Sequence, residues 1–318
     1  MWPPLLNAIS PAGERARLST LIFHRVLPAP DPLLPWEVDV ATFDHICSWV
    51  SQWFNVLPLD DAVDRLAQGR LPARAMTITF DDGYEDNHRH ALPILKRHGL
   101  MATFFVATGF LDGGRMWNDS FIESIRRATD PVIDLRSAAG DLLGRFPVGS
   151  AATRRAAIDA VLALTKYLPL DDRVALSLRF AEELGVDLPD DLMMRSEQVL
   201  ALRRAGMQIG AHTVSHPILA RLDVDSARRE IEQSKETLEN LLGEPVTLFA
   251  YPNGRSGTDY DDQSVSLVRD AGFKAAVSTD RGVGTSDSDL FQLPRFTPWD
   301  RSKLRFGFRL VDNLRRAA

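Results

Sequence analysis

Three short segments concentrate the side chains able to do chemistry. The run Thr79-Phe80-Asp81-Asp82-Gly83-Tyr84 sets two adjacent carboxylates at the end of an apolar stretch. Neighbouring side chains leaving a strand point in different directions, so one carboxylate can ligate a metal while the other serves as a general base. Gly83 allows a tight turn directly after them; by itself the segment also reads as a plain Asp-Asp-Gly turn. A second run, Gly210-Ala211-His212-Thr213-Val214-Ser215-His216-Pro217, carries two histidines four apart. They share a face if the segment is helical, but Pro217 disfavours helix at His216 and points to a shaped local turn. Alone they read as surface or capping histidines. One Asp with two His supplies three protein ligands and leaves positions open for water and substrate, the pattern of a catalytic metal. Zinc is the leading candidate, and mixed N and O donors suit other divalent transition ions. The third run, Phe249-Ala250-Tyr251-Pro252-Asn253-Gly254, is a Pro-then-Gly turn after an apolar stretch. Such a turn can aim backbone N–H groups at a tetrahedral oxyanion, and it is equally the composition of an ordinary loop.

These residues need a frame that brings them together. Apolar runs at 18–23, 75–80, 101–106, 207–210, 246–250 and 273–277 read as buried strands, and helical patterns lie near 42–52, 87–98, 197–205, 225–242 and 262–271. That alternation predicts an α/β fold with a mainly parallel sheet. Parallel strands present active groups at their C-terminal ends. His24, Asp81, Asp82, His212 and Pro252 each follow an apolar run, so one end of the sheet should carry them all. Residues 111–196 break the rhythm, with amphipathic stripes at 151–167 and 172–184 and no convincing strand. They read as a helical insertion within a single domain, 1–318, with packing as the default use of the stripes. The basic stretch 301–318 reads as a surface helix.

Composition narrows the classes. The 318 residues are 45% hydrophobic and 25% charged, with a formal net charge of −6. That is a globular balance without the basic stripe that nucleic acid requires. The single cysteine, Cys47, rules out an internal disulfide and fits a reducing compartment. The first cation is Arg15, so the basic-then-apolar order of a secretory signal is missing. No apolar stretch approaches the ~20 residues of a membrane span. The expectation is a cytoplasmic protein that can visit a membrane surface without spanning it; the oligomeric state is not encoded in any recognisable pattern.

In this order, Thr-Phe-Asp-Asp-Gly at 79–83, His-Thr-Val-Ser-His at 212–216 and Tyr-Pro-Asn-Gly at 251–254 resemble the three motifs of the polysaccharide deacetylase family (carbohydrate esterase family 4, the NodB homology domain). The resemblance runs from about His24 to Arg295. It implies a distorted (β/α) barrel with the helical insertion. It implies Asp81 as catalytic base and Asp82, His212 and His216 as ligands of a divalent ion. The Asn253 N–H would sit in the oxyanion hole, and Tyr251, Pro252, Asn253 and Gly254, with Trp117, would line the substrate site. Two positions depart from the pattern. Ala250 stands where the family usually has an arginine supporting the base, and Asn253 stands where it usually has a tyrosine. Arg295, in Leu293-Pro294-Arg295-Phe296, is the first choice for a replacement arginine, and it reads equally as one half of a surface ion pair. No histidine follows His216, so the usual late acid is missing; the resemblance to exopolysaccharide-type members implies His24, at the first strand end, as its replacement, and His24 otherwise reads as a core histidine bonded to backbone. The remaining histidines, His45, His88, His90 and His98, read as structural or exposed. The implied activity is hydrolytic removal of N-acetyl groups from an amino sugar, in a polysaccharide or its lipid-linked precursor. The competing expectations are a metal-dependent amidohydrolase on a small non-sugar amide and a glycan-binding protein with a decayed site.

Overall fold

The computed structural model describes residues 2–316, apart from the side chains of residues 138, 139 and 141. Seven strands form one parallel sheet: β1 (Ser19–Phe23), β2 (Asn55–Val56), β3 (Ala75–Phe80), β4 (Thr103–Val106), β5 (Gln208–Ala211), β6 (Leu248–Ala250) and β7 (Ala275–Val277). The spatial order is β1-β3-β4-β5-β6-β7, with the short β2 also paired to β3. The six apolar runs of the sequence correspond to six of these strands. The two-residue β2 is too short to carry a pattern.

Alternation along the strands sorts side chains between two sides. Leu21, Phe23, Met76, Ile78 and Phe80 belong to the large core under the helices. The intervening positions turn the other way: the Thr77 hydroxyl lies 2.9 Å from that of Thr20, and Thr79 donates to the Leu21 carbonyl at 2.7 Å. A period of two then sends His24 and Asp81, one step beyond Phe23 and Phe80, to this inner side. On the far strands Phe105, Leu248, Ala250 and Val277 form a second, separate core with Leu293.

Residues 293–296 join the two edges of the sheet. Leu293 bridges Val277 of β7 and Phe296 bridges Leu21 of β1, both in parallel sense. Backbone bonds of 2.9 Å from Ser278 N to Leu293 O and 2.8 Å from Phe296 N to Thr20 O secure the two ends. The sheet curls into a distorted (β/α) barrel because this segment spans its open side.

Helices cover the outside. Val40–Trp53 begins at an Asp39 cap, and Val224–Leu242 runs from an Asp223 cap to a left-handed Gly243. These are the residue types that satisfy the free N–H and C=O groups at helix ends. The helical pattern at 87–98 is realised as a π-helical turn, Asn87–Ala91, leading into Leu92–Arg97.

The chain divides into two compact units, the barrel unit of Met1–Ala29, Glu37–Asp112 and Met194–Ala318, and a second unit of Pro30–Trp36 and Gly113–Met193. The second unit holds the helices Trp117–Arg127, Ala151–Thr165 and Leu170–Glu183, with Phe121 packed edge-on against Phe180 at 5.0 Å. It also holds an antiparallel ribbon, Val132–Asp134 with Arg145–Pro147. The expectation of a strandless segment is therefore corrected; three-residue strands are too short for a periodic signal. Pro30–Trp36 joins this unit through an ion pair of Asp31 with Arg126 at 2.7 Å, a contact across 95 residues that no local pattern reveals.

Phe80 is fully buried between Phe23 and Phe104, with ring centroids at 5.3 and 4.8 Å. Phe80→Ala leaves a cavity at the position directly before the paired carboxylates. The expected loss is about 3–5 kcal/mol of stability, measured by urea unfolding. A loss below about 1 kcal/mol would show that the stack does not anchor β3.

Candidate metal and catalytic centre

The two adjacent carboxylates diverge. Asp81 turns to Arg295 in a two-pronged pair, with both N–O distances 2.7 Å. Arg295 is 1% exposed. Its Nε donates to the Ser278 carbonyl at 2.7 Å and its Nη1 reaches Thr79 Oγ1 at 3.2 Å. The guanidinium is thus fixed by four acceptors. Burial pushes the Asp81 carboxyl up, but Arg295 and His212 outweigh it and hold it below the usual carboxylate range. Asp81 is therefore an anion at neutral pH.

Asp82 has φ 74°, a left-handed conformation that a non-glycine residue rarely adopts. That twist turns its carboxylate away from Asp81 and toward the histidines. Asp82 Oδ1 lies 3.4 Å from Nε2 of His212 and 3.4 Å from Nε2 of His216. It is buried and has no hydrogen-bond partner. The ligand atoms of the three residues all lie within 4.8 Å of one another. An orphaned buried carboxylate oxygen facing two ring nitrogens fits a divalent ion, and the donor set is that of a catalytic transition-metal site.

The histidines converge through a turn. Thr213 and His216 have φ 64° and 54°, so no helix joins them. This resolves the two alternatives left by their spacing in favour of the turn that Pro217 imposes. His212 Nδ1 lies 2.7 Å from the Ala250 carbonyl. A carbonyl only accepts, so Nδ1 carries the proton and Nε2 presents its lone pair to the centre. Burial lowers the His216 pKa to about 4, which keeps that imidazole neutral as a ligand must be. Glu230, on the Val224–Leu242 helix, accepts from the N–H groups of Val214 and Ser215, both at 2.9 Å, and from the Ser215 hydroxyl at 2.5 Å. Gly109 lets another loop approach: its N–H donates to the Val214 carbonyl at 2.8 Å. A Cβ at Gly109 would fall 2.8 Å from the same oxygen.

His24 follows β1 and is half-buried. Burial draws its pKa down, but the carboxylates of Asp82, Glu37 and Asp81 outweigh this and leave it above its ordinary value. Its backbone is bracketed by the buried Asp86 and Asn87 and the half-buried Glu37. Asn87 donates to the His24 carbonyl at 2.8 Å. Glu37 accepts from the Arg25 N–H at 3.1 Å, and Asp86 from the Val26 N–H at 3.0 Å. Arg25 in turn pairs with Asp86 at 2.8 Å.

The third turn contributes mainly backbone. Asn253 has φ 60°, and its carbonyl accepts from Thr279 Oγ1 at 2.8 Å. Pro252 and Gly254 are buried within the same turn. Tyr251 corrects the expectation of a substrate-lining ring. Alternation along β6 sends it to the helix side with Phe249, where it is fully buried and stacked on Tyr260 at 3.9 Å. Trp117 belongs to the second unit, packed edge-on against Phe121 and under the Arg173 guanidinium.

The family described as polysaccharide deacetylase matches residues 68–134 and 145–276. The chain belongs to the polysaccharide deacetylase family. YxkH of Bacillus subtilis (strain 168), which carries the same family name, is 20% identical over 282 residues, 88% of this chain and 71% of that protein. Among solved structures, IcaB from Ammonifex degensii superimposes with a TM-score of 0.60 at 19% identity, covering 96% of this chain and 98% of its own. The Streptococcus pyogenes deacetylase PplD, solved with acetate, gives 0.59 at 19% identity over 89% and 92%. These likenesses establish the barrel as the deacetylase fold, and the family's class of reaction is hydrolytic deacetylation of a carbohydrate.

Sequence reasoning passed over Glu230, Glu37, Asp86 and Asn87. Asp86 and Asn87 stood a few residues beyond the Asp-Asp-Gly run and could have been suspected. Glu37 and Glu230 carry no local signal.

Two expectations follow from this geometry. Arg295→Met strips the buried Asp81 carboxylate of its partner and should cost about 3–5 kcal/mol. Adding Asp81→Asn should recover most of that loss, as read by urea unfolding of the single and double variants; equal losses would show that the pair is not the cause. Because Asp81 has a lowered folded pKa, the pair's contribution is complete above the unfolded value of about 3.9 and is lost as pH falls through the lower folded value. Separately, Glu230→Gln should loosen the histidine turn and weaken divalent-metal affinity about 10–100-fold with the fold intact. Unchanged affinity by metal titration would remove Glu230 from this role.

Proposed function

We propose that this protein is a metal-dependent N-deacetylase acting on an N-acetylated amino sugar, within a polysaccharide or its lipid-linked precursor. The observation that carries the reading is the orphaned Asp82 oxygen facing His212 and His216, one residue from a base-competent carboxylate held by Arg295. Family membership supplies the substrate class, and PplD, a deacetylase of the same fold, was solved with acetate.

Asp82, His212 and His216 would hold the ion; zinc is the leading candidate for a three-ligand site with open positions, and the mixed nitrogen and oxygen donors also suit other divalent transition ions. Such an ion supplies Lewis-acid polarisation of a carbonyl and acidification of water. The chain's own residues do the rest. Asp81 accepts a proton from the attacking water, and Arg295 keeps the carboxylate aimed and ionised until then. The Asn253 N–H donates to the oxygen that gains charge when the acetyl carbon becomes tetrahedral; among the described residues no acceptor pairs with it. His24, at the end of β1, protonates the leaving amine. A C–O bond forms from water, the C–N bond breaks, and the products are acetate and a free amino sugar.

The test is acetate release from N-acetylhexosamine oligomers after chelation and metal restoration. Restored wild-type protein should release acetate. His24→Ala should lose about 10²–10⁴-fold in kcat while binding metal normally. Full kcat in His24→Ala would remove the histidine from the acid role, and no acetate from any such oligomer would overturn the deacetylase reading.

A further inference from the structure

The barrel unit carries an apolar face that its own packing does not cover. The helix Lys303–Leu314 buries Phe306, Leu310 and Leu314 inward. It turns Leu304 and Phe308 outward, 54% and 60% exposed. Four residues apart, these two lie on one stripe. Trp299 and Leu5, each 42% exposed, are the other large apolar groups displayed by the Trp299 segment and the helix Trp2–Ile9. The two helices are locked together: Trp2 meets Phe308 edge-on at 5.4 Å, and a Cβ on Gly307 would fall 2.4 Å from the Trp2 ring. The exposed rings and leucines therefore stand on a rigid base.

Charge says what this face fits. The chain as a whole carries −6, yet residues 299–316 hold six cations, Arg301, Lys303, Arg305, Arg309, Arg315 and Arg316, against two carboxylates, Asp300 and Asp312. Helical periodicity places Arg315 on the Leu304–Phe308 stripe, Asp312 at its border and Arg305 and Arg316 along its flank; Arg305 and Arg309 pair with Asp300 and Arg316 with Asp312, which leaves Arg301, Lys303 and Arg315 as the local cationic excess. Arg309 lies over the Trp299 ring at 4.1 Å. The helix Trp2–Ile9 has no charged residue. Leucine and aromatic side chains flanked by arginine and lysine form the pattern of an interfacial helix face, apolar groups entering the acyl boundary and cations reaching phosphate. A two-fold contact between copies would press the cationic patch against itself. Charges farther away than a Debye length of about 8 Å count for little in the cell, so the local excess decides despite the acidic total.

We infer that this face, Leu5, Trp299, Leu304 and Phe308 with their flanking cations, seats the protein on an anionic lipid surface. No helix among the described residues is long and apolar enough to cross a membrane, so the contact is superficial. The inference does not depend on the deacetylase reading; if both hold, the protein would meet a lipid-linked substrate on the surface where it resides.

The experiment is co-sedimentation of the full chain with vesicles of phosphatidylcholine containing 30% phosphatidylglycerol, against vesicles of phosphatidylcholine alone. Binding is expected to the anionic vesicles, weakened by high salt. The double variant Leu304→Ser/Phe308→Ser should lose about ten-fold or more in partitioning, measured well below its melting temperature, which loss of the Phe308–Trp2 contact lowers. Arg301→Gln/Arg315→Gln should lose about 25-fold, at about five-fold per cation. No sedimentation of wild-type protein with anionic vesicles would overturn the inference, as would both double variants binding like wild type. Self-association in sedimentation velocity that Leu304→Ser/Phe308→Ser abolishes would overturn it in favour of an interface between copies.

Discussion

The buried pair of Asp81 and Arg295 is the constraint around which the centre is arranged. Removing two charges from water is costly, and the cost is recovered only when geometry and further hydrogen bonds are good. Here the guanidinium meets both carboxylate oxygens and also Thr79 and Ser278. Arg295 can do this because it lies between Leu293, bridged to one edge of the sheet, and Phe296, bridged to the other. The segment that closes the barrel is the one that delivers the arginine. Closure and the ionisation of Asp81 are thus one structural event.

With Asp81 committed to Arg295, its neighbour is released for a different task, and the backbone pays for the separation in strain. Asp82, Thr213, His216 and Asn253 all adopt left-handed φ values, each disfavoured for a residue with a Cβ. Such conformations persist only when the surroundings over-determine them. The clamps are visible: Glu230 on the histidine turn, the Ala250 carbonyl on His212, Thr279 on Asn253. Mutual repulsion among the donors falls if an ion sits between them, which gives the unpartnered Asp82 oxygen a physical purpose.

Much of this was legible in the chain. Six apolar runs became six of the seven strands, and period-two alternation alone sends His24 and Asp81 to the inner side. The choice of Arg295 as partner for the base rested on one motif position, Ala250, being unable to supply it, and the structure brings the two residues into contact. What stayed hidden was long-range or too short to be periodic. Glu230 reaches the turn from a helix whose own pattern records only its buried face. Pro30–Trp36 joins the second unit through the Asp31–Arg126 ion pair and the Arg155 guanidinium over the Trp36 ring, and the three-residue ribbon strands carry no alternation. Tyr251 departs from the expectation set by its motif position because strand parity places it with Phe249 in the core.

The division of labour between the adjacent carboxylates is tested most directly by metal stoichiometry in two single variants, Asp81→Asn and Asp82→Asn, loaded with zinc and measured by elemental analysis after desalting. Asp81→Asn should retain about one ion per chain, because its carboxylate belongs to Arg295, whereas Asp82→Asn should lose it, because its oxygen is the orphan between the histidines. Loss of the ion in Asp81→Asn together with its retention in Asp82→Asn would contradict the assignment.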